Sequence, residues 1–303
     1  MGKIVIAGGT GFLGQAVANF LLKLDHEVVI LTRGVDAKVG RSVKWNSQSV
    51  GDWAKELEGA AAVINFSGKP VAVKWTSEAK QEILLSRVQS TKIIAEAIRL
   101  CKEPPSVWIN GSAVGIYGDR GSEELDETST PGKQRRYLVD TCVAWEAAVD
   151  DAALPESVRR VKLRTGIVLG HGGGVFPTLS KLTRMFLGSH VGSGQQFVPW
   201  IHVDDFSRVI VHCIDKGIAG PVNAVSPNPC SNAFLMASMR AVIGRPWAPG
   251  IPGFILKIAN WFGGPEPSLV LESQRVKPTK LVATGFRFIH DELRETILSL
   301  VGD

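Results

Sequence analysis

The sequence predicts an α/β protein built on a doubly wound parallel sheet, with a smaller mixed lobe toward the C-terminus. Three observations lead there. Short runs rich in Val and Ile alternate with longer segments of helical period. A glycine run, GGTGFLG at 8–14, joins the first strand-like run to the first helical one. The 303 residues, 45% hydrophobic and 21% charged, suffice for a substantial core and resemble neither a disordered chain nor a membrane protein.

In order along the chain, KIVIA reads as a strand, QAVANFLLKL as a helix and EVVILT as a second strand. AAVINF, SEAKQEILLSRVQSTKIIAEAIRLC and SVWING repeat that alternation. After a loop rich in Gly, Asp and Glu at 118–132, YLVDTCVAWEAAVDDAA reads as a helix and RRVKLRTGIVL as a strand. In RRVKLR the apolar Val161 and Leu163 alternate with basic residues, so the strand is expected to be half buried with its basic side chains toward solvent. Beyond Gly170 the pattern changes. GHGGG is a loop, VFPTLSKLTRMFL a short helix, QQFVPWIHV a strand, and DDFSRVIVHCIDKG a helix started by Asp204 or Asp205. Prolines between 246 and 278 divide the C-terminal part into short elements, and DELRETILSL forms a last helix.

The glycine run satisfies G-x-G-x-x-G through Gly9, Gly11 and Gly14, and G-x-x-G-x-x-G through Gly8, Gly11 and Gly14. Between a strand and a helix, such a loop turns the backbone amides of a helix N-terminus toward a pyrophosphate. Gly8, Thr10, Gly11, Phe12, Leu13 and Gly14 are therefore cofactor-binding candidates. An NAD site ends its second strand in Asp or Glu for the ribose 2′-hydroxyl. Here Thr32 and Arg33 stand at that place. A guanidinium pairs with a 2′-phosphate where a carboxylate would repel it, so the expected cofactor is NADP(H); the alternative is a solvated loop arginine. Residues 1–170 are accordingly read as an NADP-binding Rossmann domain, to which a segment near 195–226 returns, and 171–303 as a substrate or lid lobe.

Composition narrows the partners. The formal charge of +5 is too small for a nucleic-acid-binding surface. Cys101, Cys142, Cys213 and Cys230 lie far apart, with no C-x-x-C pair or zinc-like spacing, so free thiols in a reducing compartment and no metal are expected. With no signal-like N-terminus and no apolar stretch of membrane-span length, a cytoplasmic protein without membrane contact is expected. The expected partner is a small-molecule substrate, and a homodimer is compatible.

Together with NFSG at 65–68 and SAVGIYG at 112–118, the glycine loop resembles the extended branch of the short-chain dehydrogenase/reductase superfamily. KWTSEAKQEILLSRVQST, CVAWEAA, LRTGIVLGHGGG, FVPWIHVDD and SQRVKPTKLVATGFRF narrow the likeness to its atypical epimerase family proteins, across nearly the whole chain. The resemblance implies that Phe66, Ser67 and Gly68 border the adenosine half of the cofactor, and that Glu82 and Arg87 face its ribose and phosphates. Read alone, those two charges are solvated surface residues.

The resemblance also implies a Tyr-x-x-x-Lys motif, in which the Tyr moves a proton at a carbonyl or alcohol and the Lys lowers its pKa. Tyr137 stands at the start of the matching helix, but Thr141 occupies the lysine position. A neutral Tyr137 still suffices as a general acid. Relatives carry a Ser four residues before the Tyr of V-Y-G, whereas Ser112 is five before Tyr117. Either the turn is reshaped so that Ser112 reaches the cleft, the favoured reading, or this corner has lost its role. Ser112, Tyr117 and Tyr137 are thus the catalytic candidates. His202 invites a general-base assignment but is as readily a hydrogen-bonded framework residue, Trp200 is read as core rather than an aromatic wall of the substrate site, and His171 sits in a loop suited to cover the nicotinamide. By resemblance, Lys74 and Trp75 lie near the cleft entrance. The function expected is an NADP(H)-dependent oxidoreductase or epimerase acting on a small carbonyl or alcohol or a nucleotide-linked sugar. The alternative, motivated by the missing lysine, is a non-catalytic NADP(H)-binding regulator, which a cell-division-inhibitor label on some relatives would suit.

Overall fold

A computed structural model describes residues 2–134, 136–261 and 266–302. Seven strands form one parallel sheet: β1 (Lys3–Ala7), β2 (Glu27–Thr32), β3 (Arg41–Lys44), β4 (Ala62–Asn65), β5 (Val107–Ala113), β6 (Arg159–Thr165) and β7 (Gly220–Ala224). Their order is β7-β6-β5-β4-β1-β2-β3. The chain winds outward from β1 through β2 and β3, then returns to β4 and winds the other way. A crevice therefore opens at the carboxyl ends of β1 and β4, where such sheets take their ligands. The register Ala7↔Asn65 puts Gly8 beside Phe66 at that edge.

Both faces of the sheet are covered, which is why β1 and β4 read as unbroken apolar runs. Helices α1 (Phe12–Leu22), α2 (Ser77–Leu100), α3 (Tyr137–Asp150) and α5 (Val203–Asp215) pack on it, while α4 (Phe176–Arg184) and α6 (Asn232–Ile243) belong to a separate core. Side chains alternate across a strand. Ile4 and Ile6 join α1 and α5 through Val17, Leu21, Phe206 and Ile210. Val5 and Ala7 face the other way, toward Ile94 and Ile98 of α2 and Val149 of α3. A separate core, with Leu169, Phe176, Trp200, Met236 and Met239, reaches Ile297 and Leu300 of the last helix, Leu293–Gly302.

Two expected strands are each divided. RRVKLRTGIVL breaks at Gly166 into β6 and Ile167–Leu169, and QQFVPWIHV breaks at Pro199 into Phe197–Val198 and Trp200–His202. The breaks face each other: Ile167 N donates to the Pro199 carbonyl at 2.7 Å, and a Cβ on Gly166 would meet that oxygen at 2.7 Å. The chain leaves the main sheet there, and Trp200–His202 pairs in parallel with Ile167–Leu169. The sequence gives no hint of β3: it is four residues long, basic at both ends and at the sheet edge, where charge prevents further pairing.

Candidate functional site

The glycines of the first loop do different work. Gly8 has φ +78°, and a Cβ there would meet the Phe66 backbone at 2.8 Å. A Cβ on Gly14 would lie 2.5 Å from the Gly8 carbonyl oxygen, and one on Gly9 2.5 Å from Ile30. These three let α1 pack close against β1, β2 and β4. Gly11 is different. It is exposed, its nearest Cβ neighbour would be Gly8 O at 3.5 Å, and it is the N-cap of α1. No side chain caps that helix and its first turn holds no acid, so the amides of its first turn have no side-chain partner at the positive end of the helix dipole. Thr10 is exposed, its carbonyl accepting from Gln15 Nε2 at 3.3 Å. Leu13 and the Phe12 ring turn inward to the core. A Cβ on Gly170, Gly173 or Gly174 would strike the Phe12 ring within 3.2 Å, so the GHGGG loop wraps that ring, which leaves Phe12 only its backbone to offer a ligand.

At the end of β2 the Thr32 hydroxyl is consumed by the turn, donating to the Val35 carbonyl at 2.6 Å and accepting from Gly34 N at 3.4 Å. Arg33 is exposed and, among the described residues, has no ion pair or hydrogen bond.

After β4, Asn65 shapes the next loop. Its Oδ1 accepts from Ser67 N at 3.0 Å and its Nδ2 donates to Asn110 Oδ1 at 2.8 Å. Ser67 Oγ is buried with no partner. A Cβ on Gly68 would lie 3.1 Å from Arg87 Cζ. Glu82 and Arg87 both reach residue 69: Glu82 pairs at the surface with Lys69 Nζ at 2.8 Å, while Arg87 Nη1 donates to the Lys69 carbonyl at 3.0 Å. Arg87 is no surface charge. It also donates to the Ile83 carbonyl and lies 5.1 Å from the Trp145 ring centroid, and burial pulls its pKa below the usual arginine value. Among the described residues it has no carboxylate partner. An orphaned hydroxyl, an unneutralised guanidinium and uncapped amides along one edge fit an anionic dinucleotide.

Ser112 and Tyr117 require a correction, because both are buried and neither hydroxyl faces the cleft. Ser112 Oγ donates to Glu146 Oε1 at 2.7 Å; Glu146 takes a bidentate pair from Arg164 at 2.8 and 2.9 Å. Arg164 Nη1 donates to Tyr117 Oη at 2.9 Å, and Tyr117 Oη lies 2.8 Å from Asn223 Oδ1 and 2.9 Å from the Asp126 carbonyl. Burial pushes the Tyr117 phenol up. The physical reason lies in β6, where Arg164 is buried rather than solvent-facing. Two residues along a strand advance about 6.6 Å and four along a helix about 6 Å. Arg164 and Lys162 therefore meet Glu146 and Asp150 of α3 in turn.

Tyr137 is placed otherwise. It is half-buried at the first position of α3, donates to the Lys80 carbonyl at 2.8 Å, and meets the Trp75 ring edge-on at 4.8 Å. Burial raises its pKa, while the Thr141 hydroxyl and the Arg87 charge draw it back. Two contacts cross to the C-terminal segment beside it: Arg136 pairs with Glu272 at 2.9 Å, and Lys74 Nζ reaches the Trp261 carbonyl at 3.4 Å.

His202, rather than Asp204 or Asp205, caps α5, accepting from Asp204 N at 3.1 Å. Asp205 is fully buried, accepts from Ile289 N and His290 N, and pairs with Arg208 at 2.6 Å, which ties the C-terminal segment to α5. His202 stacks on His290 at 3.8 Å with Asp204 alongside, a set with metal-ligand chemistry. Its Nδ1 is already committed to the cap and the rings lie nearly parallel, so the group reads as framework. Trp200 is buried and donates to the Asn228 carbonyl at 2.9 Å. Among the described residues no helix is long and apolar enough to cross a membrane, and all four cysteines are free thiols.

Asn65, Asn110 and Glu146 were not among the residues singled out from the sequence. A signal existed: AVIN makes up β4 and VWIN opens its parallel neighbour β5, and their asparagines stand in register.

Known proteins share this fold. The human epimerase family protein SDR39U1, solved with NADPH, superposes with a TM-score of 0.89 at 30% identity over 99% of both chains. Epimerase family protein YfhF of Bacillus subtilis is 33% identical over 306 residues, 99% of this chain and 98% of that one. A nucleoside-diphosphate sugar epimerase from Corynebacterium glutamicum superposes with a TM-score of 0.78 at 30% identity, over 99% of this chain and 58% of that one. Residues 251–300 match a domain of unknown function. Residues 4–225 match the NAD dependent epimerase/dehydratase family, and the chain belongs to that family, within the extended short-chain dehydrogenase/reductases.

Proposed function

We propose that the chain binds NADP(H) along the carboxyl edge of the sheet and acts as an oxidoreductase or epimerase on a small carbonyl or alcohol, nucleotide-linked sugars included. The observation that carries the cofactor reading is Arg33, an unpaired cation at the end of β2 where an NAD site carries an acid. The α1 amides and Gly11 would hold the pyrophosphate, Arg33 the 2′-phosphate, and Phe66 to Gly68 the adenosine side. A bound nicotinamide supplies hydride chemistry; the chain supplies position, water exclusion and one proton. Tyr137 is the residue that moves the proton, since its phenol is half-buried and needs no deprotonation to act as an acid. Trp75 packs edge-on against its ring, and Lys74 and Arg136 reach the C-terminal segment at Trp261 and Glu272. The NADPH solved with the human relative and the Corynebacterium protein's sugar-nucleotide description support this reading.

A second reading, a non-catalytic NADP(H)-dependent regulator, is favoured by the Ser112 and Tyr117 network, which leaves Tyr137 without the usual serine partner. One set of measurements separates the two. NADPH should bind more tightly than NADH, and Arg33→Gln should weaken NADPH alone by about ten- to a hundredfold. Equal affinity of the native protein for both cofactors overturns the cofactor reading. Oxidation of bound NADPH by a panel of carbonyl and sugar-nucleotide compounds, lost in Tyr137→Phe with cofactor affinity intact, supports the enzyme. Tight binding without oxidation by any compound supports the regulator.

A further inference from the structure

Helices α2 and α3 lie side by side, and their contacts set a register. Tyr137 Oη donates to the Lys80 carbonyl, and Trp145 Nε1 donates to Thr91 Oγ1 at 3.1 Å. Thr141, midway between Tyr137 and Trp145, is therefore level with the middle of the 80–91 stretch of α2. Side chains on a helix lean back toward its N-terminus. Arg87 does so: its Nη1 bonds the Ile83 carbonyl, three residues from the Lys80 carbonyl that holds Tyr137 Oη, and its guanidinium lies 5.1 Å from the Trp145 ring centroid of α3.

We propose that Arg87, reaching from α2, supplies Tyr137 with the positive charge that a lysine at 141 would otherwise supply. It is a positioning residue acting through the phenol, and the assignment rests on the reading of Tyr137 as proton donor. When the Oη–H bond breaks and the proton joins a substrate oxygen, a phenolate remains, and Arg87 is the cation that stabilises it.

The surroundings favour Arg87 over its neighbours. Lys80 Nζ lies 5.5 Å from the Tyr137 ring centroid, over the ring face on a half-buried, solvent-reaching side chain. Arg136 is spent on Glu272. Burial pushes the Cys142 thiol up to about 12, so it stays neutral. Of these cations Arg87 is the one whose pKa burial lowers, and among the described residues it has no carboxylate partner. Its pull on the phenol opposes the larger effect of burial.

The chain has two tyrosines. Protein labelled with ring-¹³C tyrosine therefore gives two phenol resonances, assigned with Tyr137→Phe, and Tyr117 reports on the fold. In the cofactor-free protein, Arg87→Gln should raise the Tyr137 pKa by at least about one unit. Arg87→Lys should recover most of that shift, Lys80→Gln should move it far less, and the Tyr117 resonance should stay in place throughout. If Arg87→Gln disturbs Tyr117, Arg87→Met, which keeps the buried stem, replaces it. An unmoved Tyr137 with Tyr117 intact overturns the proposal, as does an equal shift in Lys80→Gln. NADPH affinity of the same variants isolates the remaining case: affinity lost with Tyr137 unmoved makes Arg87 a phosphate contact only. Turnover unaffected by Tyr137→Phe would remove the proton-donor reading while leaving the Arg87 shift itself measured.

Discussion

Two stretches of the sheet's carboxyl edge treat their polar groups in opposite ways. From β2 across β1 to β4, groups are left open among the described residues: Arg33 is unpaired, the α1 amides are uncapped, Ser67 Oγ is buried without a partner, and Arg87 has no carboxylate. From β5 through β7, Ser112, Glu146, Arg164, Tyr117 and Asn223 bond one another until each has a partner. Buried polar groups cost free energy unless satisfied. A protein tolerates open ones where a ligand will complete them and closes them where none will come. The first stretch therefore carries the open groups that the proposed cofactor would complete. The second, which holds Ser112 and Tyr117, satisfies its polar groups within itself.

The largest effect should come from breaking the closed stretch. Glu146→Gln leaves Arg164 charged and buried without its counter-ion, which should cost about 3–5 kcal/mol of stability in chemical denaturation. NADPH affinity of the folded protein should be unchanged. A loss of cofactor affinity as large as the loss of stability would join the two stretches and end the distinction.

A smaller effect comes from a closed group satisfied in only one protonation state. Burial, with His290 second, lowers the His202 pKa to about 4, against the pull of Asp204 and Asp205 and with a further push from His171. A depressed folded pKa means that stability present above about 6.5 is lost as the pH falls through about 4, by up to about 3 kcal/mol. Glu272 runs the opposite way, since burial raises its pKa, and it favours the fold at low pH. His202→Asn keeps a side-chain oxygen to cap α5 while removing the titration. The acid-induced fall in Tm should be smaller in His202→Asn than in the native protein; parallel Tm curves would show that the ring is not protonated in that range.

How much could be read in the sequence depends on the range of the forces involved. Strand–helix alternation and the glycine spacing are local and periodic, so the doubly wound sheet, the first loop and the position of Arg33 could be read directly. The roles of Ser112 and Tyr117 could not, because they depend on Glu146 and Arg164, partners 34 and 47 residues away. Arg87 was hidden for a related reason. On an isolated helix it is an ordinary surface charge, and only α3, through Trp145, together with the loop after β4 takes it out of water. The cap of α5 failed on chemistry: Asp is the commoner N-cap, but Asp205 is taken by the amides of Ile289 and His290, leaving His202 to do it.

The smallest change in stability tests the open stretch most sharply. Gly11 has backbone angles of φ −80° and ψ 172°, open to any residue, and the methyl of Gly11→Ala would meet only a carbonyl oxygen at 3.5 Å. Replacing an N-cap glycine by alanine should cost under about 1 kcal/mol. That methyl would stand where a pyrophosphate must approach the α1 amides, so NADPH affinity should fall by at least about tenfold, or about 1.4 kcal/mol. Gly14→Ala is the contrast, because its methyl would strike the Gly8 carbonyl oxygen at 2.5 Å and push α1 from the sheet, so stability and affinity should fall together. Calorimetric titration of both variants beside their denaturation curves separates the two glycines. If Gly11→Ala bound NADPH as tightly as the native protein, the open space at that helix end would not be where the phosphates lie.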